Sequence, residues 1–261
     1  MKVTLITGAS SGIGEEFARR LATEKHNLVL VARSEKALHE LCDELMLEHK
    51  ITAHYIAVDL TETSADAKLF AETERLGFEV DWLINNAGFG SYGDFASLDL
   101  DHELRMIDLN IRSLVALSHR YLQGMRERRS GTIINVSSAA GFQPIPFMAT
   151  YAATKAFVTS FSEATAEENR PFGIQTLALC PGSTKTNFQA AANMDRVMQV
   201  KGQQTVEEVI ETAMRAVKSG RTKIVSGFTN NVVSKLVTLI PNAIITRMLA
   251  KGQRSKYQGD K

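Results

Sequence analysis

Metal-binding and disulfide patterns are scarce in this sequence. Its six histidines are scattered, with no H-x-x-x-H pair among them. Its only cysteines, Cys42 and Cys180, are too far apart in sequence for a C-x-x-C group. A structural zinc site is therefore not expected. The cysteines read as two buried thiols in a reducing compartment, which points to the cytoplasm. The formal net charge is +1, so no nucleic-acid partner is expected. No apolar run approaches the roughly 20 residues of a membrane-crossing helix. The opening "MKVTLIT" reads directly as a strand, without the architecture of a secretory signal.

What is present is ordinary globular composition, 44% hydrophobic and 23% charged. A chain of 261 residues is long enough for one α/β domain with a substantial core. Apolar strand-like runs alternate with helical patterns. Strands are expected at 2–7, 27–32, 51–58, 81–85, 131–137, 173–179 and 222–226. The second, "NLVLVA", is continuously apolar, as a parallel strand covered on both faces should be. Helices are expected near 13–25, across the Leu38, Leu41, Cys42 and Leu45 stripe, and at 61–76, 149–169 and 206–218. A long helical region from 100 to 128 is expected to break around Leu109. This order implies βαβ units in a single doubly wound Rossmann-type domain. Its seven-stranded sheet should be mostly parallel, with helices on both faces.

The turn after the first strand reads "TGASSGIG" and spaces Gly8, Gly12 and Gly14 as G-x-x-x-G-x-G. Glycines there permit a tight turn, close backbone approach to a ligand and close helix–strand packing. The following helix would aim its free N–H groups at a phosphate. No lysine stands where a nucleoside-triphosphate loop needs one. Dinucleotide binding is the expectation. At the end of the second strand the sequence has Ala32 and Arg33, where an acid would hold an NAD ribose. A guanidinium suits a 2′-phosphate, which favours NADP(H). Glu35 is read as a helix N-terminal residue.

These features and the later motifs together resemble the classical short-chain dehydrogenases/reductases, of the NADP(H)-preferring type. The likeness covers about residues 1–227. "TGASSGIG" is similar to the family's cofactor motif, which implies cofactor contacts from Gly8, Ser10, Ser11, Gly12, Ile13 and Gly14. Asp59 and Leu60 resemble the pair beside the adenine ring. "NNAG" implies contacts from Asn86, Ala87 and Gly88, with Asn85 bracing the sheet. Pro181, Gly182 and Thr184 resemble the nicotinamide-side motif. By the same resemblance Asn110, Ser138, Tyr151 and Lys155 are the catalytic set. Tyr151 and Lys155 would touch the cofactor as well, and no metal is implied.

Tyr151 and Lys155 are four residues apart and share one helix side. A free tyrosine has a pKa of about 10, and a neighbouring ammonium is expected to lower it towards the range of a general acid/base. Ser138 would hold the substrate oxygen as charge develops. Lys155 reaching ribose hydroxyls and Asn110 holding a relay water are implied by the resemblance alone. Ser137 and Asp108 read as structural: a strand-end hydrogen-bonding residue and a solvated or locally paired acid.

Three segments are expected to wall the substrate: Phe89 to Phe95, Ala139 to Met148, and the stretch after Thr184. Within that stretch lies a substrate loop near 185–204 carrying Phe188, Met194 and Met198. Their apolar character suits a medium or large apolar ketone, aldehyde or 3-oxoacyl compound, or its alcohol. The tail, 228–261, is apolar with Lys235, Arg247 and Lys251, and Pro241 divides it into two short helices at most. It could cover the pocket, make a subunit contact or rest on a membrane. A homodimer or homotetramer is implied by the resemblance. The competing functions are a nucleotide-sugar epimerase or dehydratase, which this short tail disfavours, and a non-catalytic NADP(H)-binding sensor or scaffold. The intact catalytic set counts against the latter.

Overall fold

The computed structural model describes residues 1–186, 188 and 203–258, with side chains through 254. Seven strands alternate with helices along the chain. The first half contains β1 (Lys2–Thr7), α1 (Gly12–Thr23), β2 (Leu28–Ala32), α2 (Glu35–His49), β3 (Ala53–Ala57), α3 (Ala65–Arg75) and β4 (Glu79–Asn85). The second contains α4 (Leu100–Ile107), α5 (Leu114–Arg128), β5 (Gly131–Val136), α6 (Ala149–Asn169), β6 (Ile174–Cys180), α7 (Val206–Lys218) and β7 (Lys223–Val225). Two more helices, α8 (Phe228–Val237) and α9 (Asn242–Gln258), close the chain.

The strands form one sheet in the order β3-β2-β1-β4-β5-β6-β7. Every neighbouring pair is parallel. Side chains alternate across the sheet, so both faces must be apolar. Ile6, Leu30 and Ile84 pack with Phe17 and Leu21 of α1, Leu38 of α2 and Ile210 of α7. Leu5, Val31 and Leu83 face the other way, against Leu69 of α3 and Leu117 and Tyr121 of α5. The stripe expected on α2 is buried at all four positions.

One polar chain crosses the second face. Asn85 and Asn135 stand in register on β4 and β5. Asn85 donates to Ser118 on α5 at 3.0 Å and to Asn135 at 2.9 Å, and Asn135 donates to Ser162 on α6 at 2.9 Å. These bonds give the buried Asn85 and Asn135 NH2 groups acceptors, while the Asn85 carbonyl oxygen has no hydrogen-bond partner among the described residues. They also fix α5 and α6 relative to the strand ends that carry the site.

The long helical region breaks where the sequence indicates. A π-helical segment, Asp108–Ser113, separates α4 from α5. Ser113 donates to the Leu109 carbonyl at 2.6 Å, and Asp108 pairs with Arg112 at 2.7 Å. The tail departs from expectation in one respect. Pro241 does divide it, but the second helix, α9, has 17 residues and is not short. Pro241 sits before the first turn of α9, where its missing N–H costs nothing. No described helix is long and apolar enough to cross a membrane.

Candidate active site

In a parallel sheet all carboxyl ends open on one side, and β1 and β4 flank the point where strand order reverses. The loops leaving β1, β4, β5 and β6 converge there. Thr7, the last residue of β1, ties two of them together. Its hydroxyl accepts from the backbone N–H groups of Asn86 and Ala87, each at 3.0 Å. The Asn86 amide in turn donates to the carbonyls of Thr7 at 3.0 Å and Gly8 at 3.2 Å.

The glycines of the first turn serve this closeness. Gly8 lies in the left-handed region at φ +66°. A Cβ on Gly14 would run into the Gly8 carbonyl oxygen and lie 2.5 Å from the Asn86 amide nitrogen. The backbone is thus packed to a density only glycine permits. The result is a bare main-chain cradle at the start of α1.

The cradle opens into a cavity of about 650 Å³. Nearly every residue singled out from the sequence for catalysis or cofactor binding lines it. The two exceptions support its wall from behind: Gly14 through Gly8, and Asn110 through Gly88, whose Cβ would lie 2.9 Å from the Asn110 carbonyl oxygen. At one end stand Arg33 and Asp59. Burial pushes the Asp59 carboxyl up, but Thr61's backbone and hydroxyl bonds and the Arg33 and Arg105 cations hold it below its usual value. Arg105 pairs with it at 3.2 Å.

At the other end stand Ser138, Tyr151 and Lys155. Tyr151 and Lys155 are buried on α6, with the ammonium 5.8 Å from the centre of the phenol ring. Lys155 donates to the Val136 carbonyl at 2.8 Å. Ser137 is buried as well, and its hydroxyl donates to the Lys155 carbonyl at 2.7 Å, a structural role as read.

The titration of the pair differs from the sequence expectation. Tyr151 is not lowered but pushed up to about 12, because burial penalises the phenolate more than a hydrogen bond with Ser138 favours it. Lys155 is lowered to about 8, again by burial. Desolvation disfavours charge on both groups and is the largest cause of each shift.

Apolar side chains complete the second end. Phe89, Ile145, Met148 and Phe188 line the cavity, and the Phe188 ring centre lies 5.4 Å from that of Tyr151. Each of the three segments expected to form the substrate wall contributes, although Phe95 at the far end of the first is exposed. Met194 and Met198 lie outside the described residues.

Five contributors carried no sequence motif. Thr154 accepts the Asn110 amide at 3.1 Å. Its position one helical turn from Tyr151 was the available signal. Thr186 stands over Gly12, where a Cβ would come within 3.3 Å of its methyl group. Asn230 of α8 fills the space over Gly182 and donates to the Ser226 carbonyl at 3.0 Å. Val233 and Ser234 of the same helix also line the cavity.

Comparison with known proteins agrees with this geometry. The family model described as short chain dehydrogenase matches residues 2–197. The chain is 29% identical over 260 residues to a protein named ketoacyl reductase HetN from Nostoc sp., covering all of this chain and 87% of that one. It is 34% identical over 181 residues to human very-long-chain 3-oxoacyl-CoA reductase, covering 68% of this chain but only 57% of the human protein. Among solved structures, a short-chain dehydrogenase from Sphingobium yanoikuyae in complex with NADPH superposes with a TM-score of 0.83 at 30% identity. That match covers 92% of this chain and 96% of the other. A glycine cradle at the β1–β4 crevice, a buried Tyr-x-x-x-Lys pair and these matches have one reading: the chain is an oxidoreductase belonging to the short-chain dehydrogenase family.

Proposed function

We propose that this oxidoreductase transfers a hydride between NADP(H) and a carbonyl/alcohol pair. Its substrate is a medium or large apolar ketone, aldehyde or 3-oxoacyl compound. The observation that carries the reading is the cavity itself. It joins a main-chain cradle and Arg33 at one end to Ser138, Tyr151 and apolar walls at the other. The names of the Nostoc and human relatives support the 3-oxoacyl class. The NADPH complex of the Sphingobium relative supports the cofactor.

The cradle around Gly8 and Gly12 suits a pyrophosphate at the α1 N-terminus. Arg33 would hold the 2′-phosphate, and Asp59 and Leu60 the adenine side. Asn86, Ala87 and Gly88 would line the path to Pro181, Gly182 and Thr184 at the nicotinamide end. When bound, the cofactor supplies or accepts the hydride. The chain handles the proton. In reduction Tyr151 gives its hydroxyl proton to the carbonyl oxygen. Ser138 donates a hydrogen bond to that oxygen as negative charge develops. Lys155 would favour the resulting phenolate by its charge and would hold the ribose hydroxyls of the bound cofactor. The family resemblance would give Asn110 a relay water between Lys155 and solvent; its side chain here is engaged by Phe89 and Thr154, so it would act by positioning the wall beside Lys155. In oxidation the proton moves the other way.

Residues 1–227 make up the dinucleotide-binding catalytic domain in this reading, and 228–261 form a tail on it. The chain acts in the cytoplasm as a homodimer or homotetramer, which light scattering checks. Spectrophotometric assay of NADPH oxidation over a panel of apolar ketones, aldehydes and 3-oxoacyl thioesters tests the activity. Turnover by the parent chain that vanishes in Tyr151→Phe supports it. NADPH binding with no turnover of any class would favour the sensor or scaffold.

A further inference from the structure

Exposed apolar side chains gather on two parts of the surface: Phe95, Leu100, Leu104 and Ile107 at α4, and a larger group on α8, α9 and the turn between them. Phe228 is 85% exposed, Leu239 80% and Met248 70%. Val232, Leu236, Ile240 and Ile244 are exposed beside them. Phe228, Val232 and Leu236 recur every fourth residue on α8, as do Ile244 and Met248 on α9, so each helix presents an apolar row. Rows of exposed apolar side chains on neighbouring segments of chain point to an interaction site.

The inner face holds the two helices in place. Ile245 is buried, and Leu249 packs against the cluster containing Met106, Met148 and Tyr151. Tyr92 donates to Gln253 at 2.7 Å, and Asn230 to the Ser226 carbonyl at 3.0 Å. The exposed row is therefore not needed to anchor the tail.

Charge says what covers it. The whole chain balances 30 lysines and arginines against 29 aspartates and glutamates. Between Phe228 and Arg254 that balance disappears. The segment carries Lys235, Arg247, Lys251 and Arg254, all exposed, and no acidic residue. Lys235 adjoins Leu236, and Arg247 adjoins Met248.

We propose that the outer face of α8 and α9 docks on an anionic lipid bilayer. Leu236, Leu239 and Met248 enter the boundary between headgroups and acyl chains, and Lys235, Arg247 and Lys251 meet the lipid phosphates. Neither helix crosses the bilayer; both lie along it. A second copy of the chain fits this face less well. A two-fold contact would bring cations against cations with no carboxylate in the patch to pair with them. The docking reading is independent of the proposed carbonyl chemistry, since vesicle binding requires no turnover.

Flotation of the full chain with lipid vesicles tests it. The parent should float with phosphatidylglycerol/phosphatidylcholine vesicles and not with phosphatidylcholine alone. Lys235→Gln and Arg247→Gln should each weaken partitioning about fivefold, the effect of losing one interfacial cation. A Leu239→Glu/Met248→Glu variant should stay in solution with an unchanged thermal melt, because both side chains are exposed. The proposal fails if the parent does not float, if it floats equally with neutral vesicles, or if the double variant still floats. It also fails if light scattering shows a dimer that the double variant dissociates while the parent ignores vesicles. That result would assign the face to a second copy.

Discussion

Asn110 and Phe89 exchange two hydrogen bonds: the Phe89 N–H donates to the Asn110 carbonyl oxygen at 3.2 Å, and the Asn110 amide returns to the Phe89 carbonyl at 3.0 Å. This pairing ties the π-helical segment between α4 and α5 to the loop after β4. A third bond, to Thr154, adds α6. Asn110→Ala would leave two backbone groups and a hydroxyl without their partner. We expect a loss of about 2–4 kcal/mol in urea unfolding, the cost of orphaned buried polar groups. An unchanged midpoint would show that the pairing is not structural.

Tyr151→Phe removes one oxygen from a buried ring and little else. The expected loss in kcat is about 10²–10⁴-fold, the usual reach of general acid catalysis. NADPH affinity, followed by fluorescence titration, should hold. A variant that keeps kcat within a few-fold of the parent would remove the tyrosine from the proton transfer.

Lys155 makes stability depend on pH in a calculable direction. Its pKa falls from 10.5 unfolded to about 8 in the folded chain. Below about pH 8 the folded protein must hold a buried charge, and the full penalty applies. As pH rises from 8 towards 10.5, the unfolded state binds more protons than the folded one, and the penalty is relieved. Lys155→Met lacks this relief. Its stability relative to the parent should therefore decline by about 3 kcal/mol across that window. Urea unfolding at a series of pH values measures this, and a flat difference would contradict it.

Arg33→Ala tests cofactor choice. Arg33 is the cation assigned to the 2′-phosphate, and such charge-assisted bonds are worth roughly 1.5–3 kcal/mol. NADPH kcat/KM should fall by about 10–100-fold and NADH kcat/KM should change little. Equal loss with both cofactors would give Arg33 a different role.

Gly14→Ala places a methyl group against the Gly8 carbonyl and the Asn86 amide. The first turn must then shift, at about 1–3 kcal/mol. NADPH binding should weaken with it, as calorimetry would show. Parent-like affinity would mean that the cradle does not need its tight packing.

The strands were legible because a doubly covered parallel sheet demands near-continuous apolar runs, and "NLVLVA" is one. The break expected near Leu109 falls at the π-helical segment Asp108–Ser113. Asn230 was not legible. Its contact with Gly182 joins residues far apart in sequence, and nothing around it forms a motif. The Tyr151 titration was misjudged for a related reason. Spacing shows that Lys155 shares its helix side, but spacing does not show burial. Desolvation is set by everything packed around the pair, and it decides the sign.

The Asn86 clamp on Thr7 and Gly8 has a consequence for how the chain assembles. It joins positions 79 and 78 residues apart. During synthesis β1, β2 and β3 emerge first and can associate, but the turn after β1 then has only the Ala9 N–H bond to the Val31 carbonyl at 3.2 Å to hold it. Only when β4 inserts beside β1 does Asn86 arrive and the turn acquire its final shape. Contacts of such separation form late, because the intervening loop must first give up its freedom. The cofactor cradle is thus the product of the second half-sheet docking on the first, and its formation reports that the two halves have met.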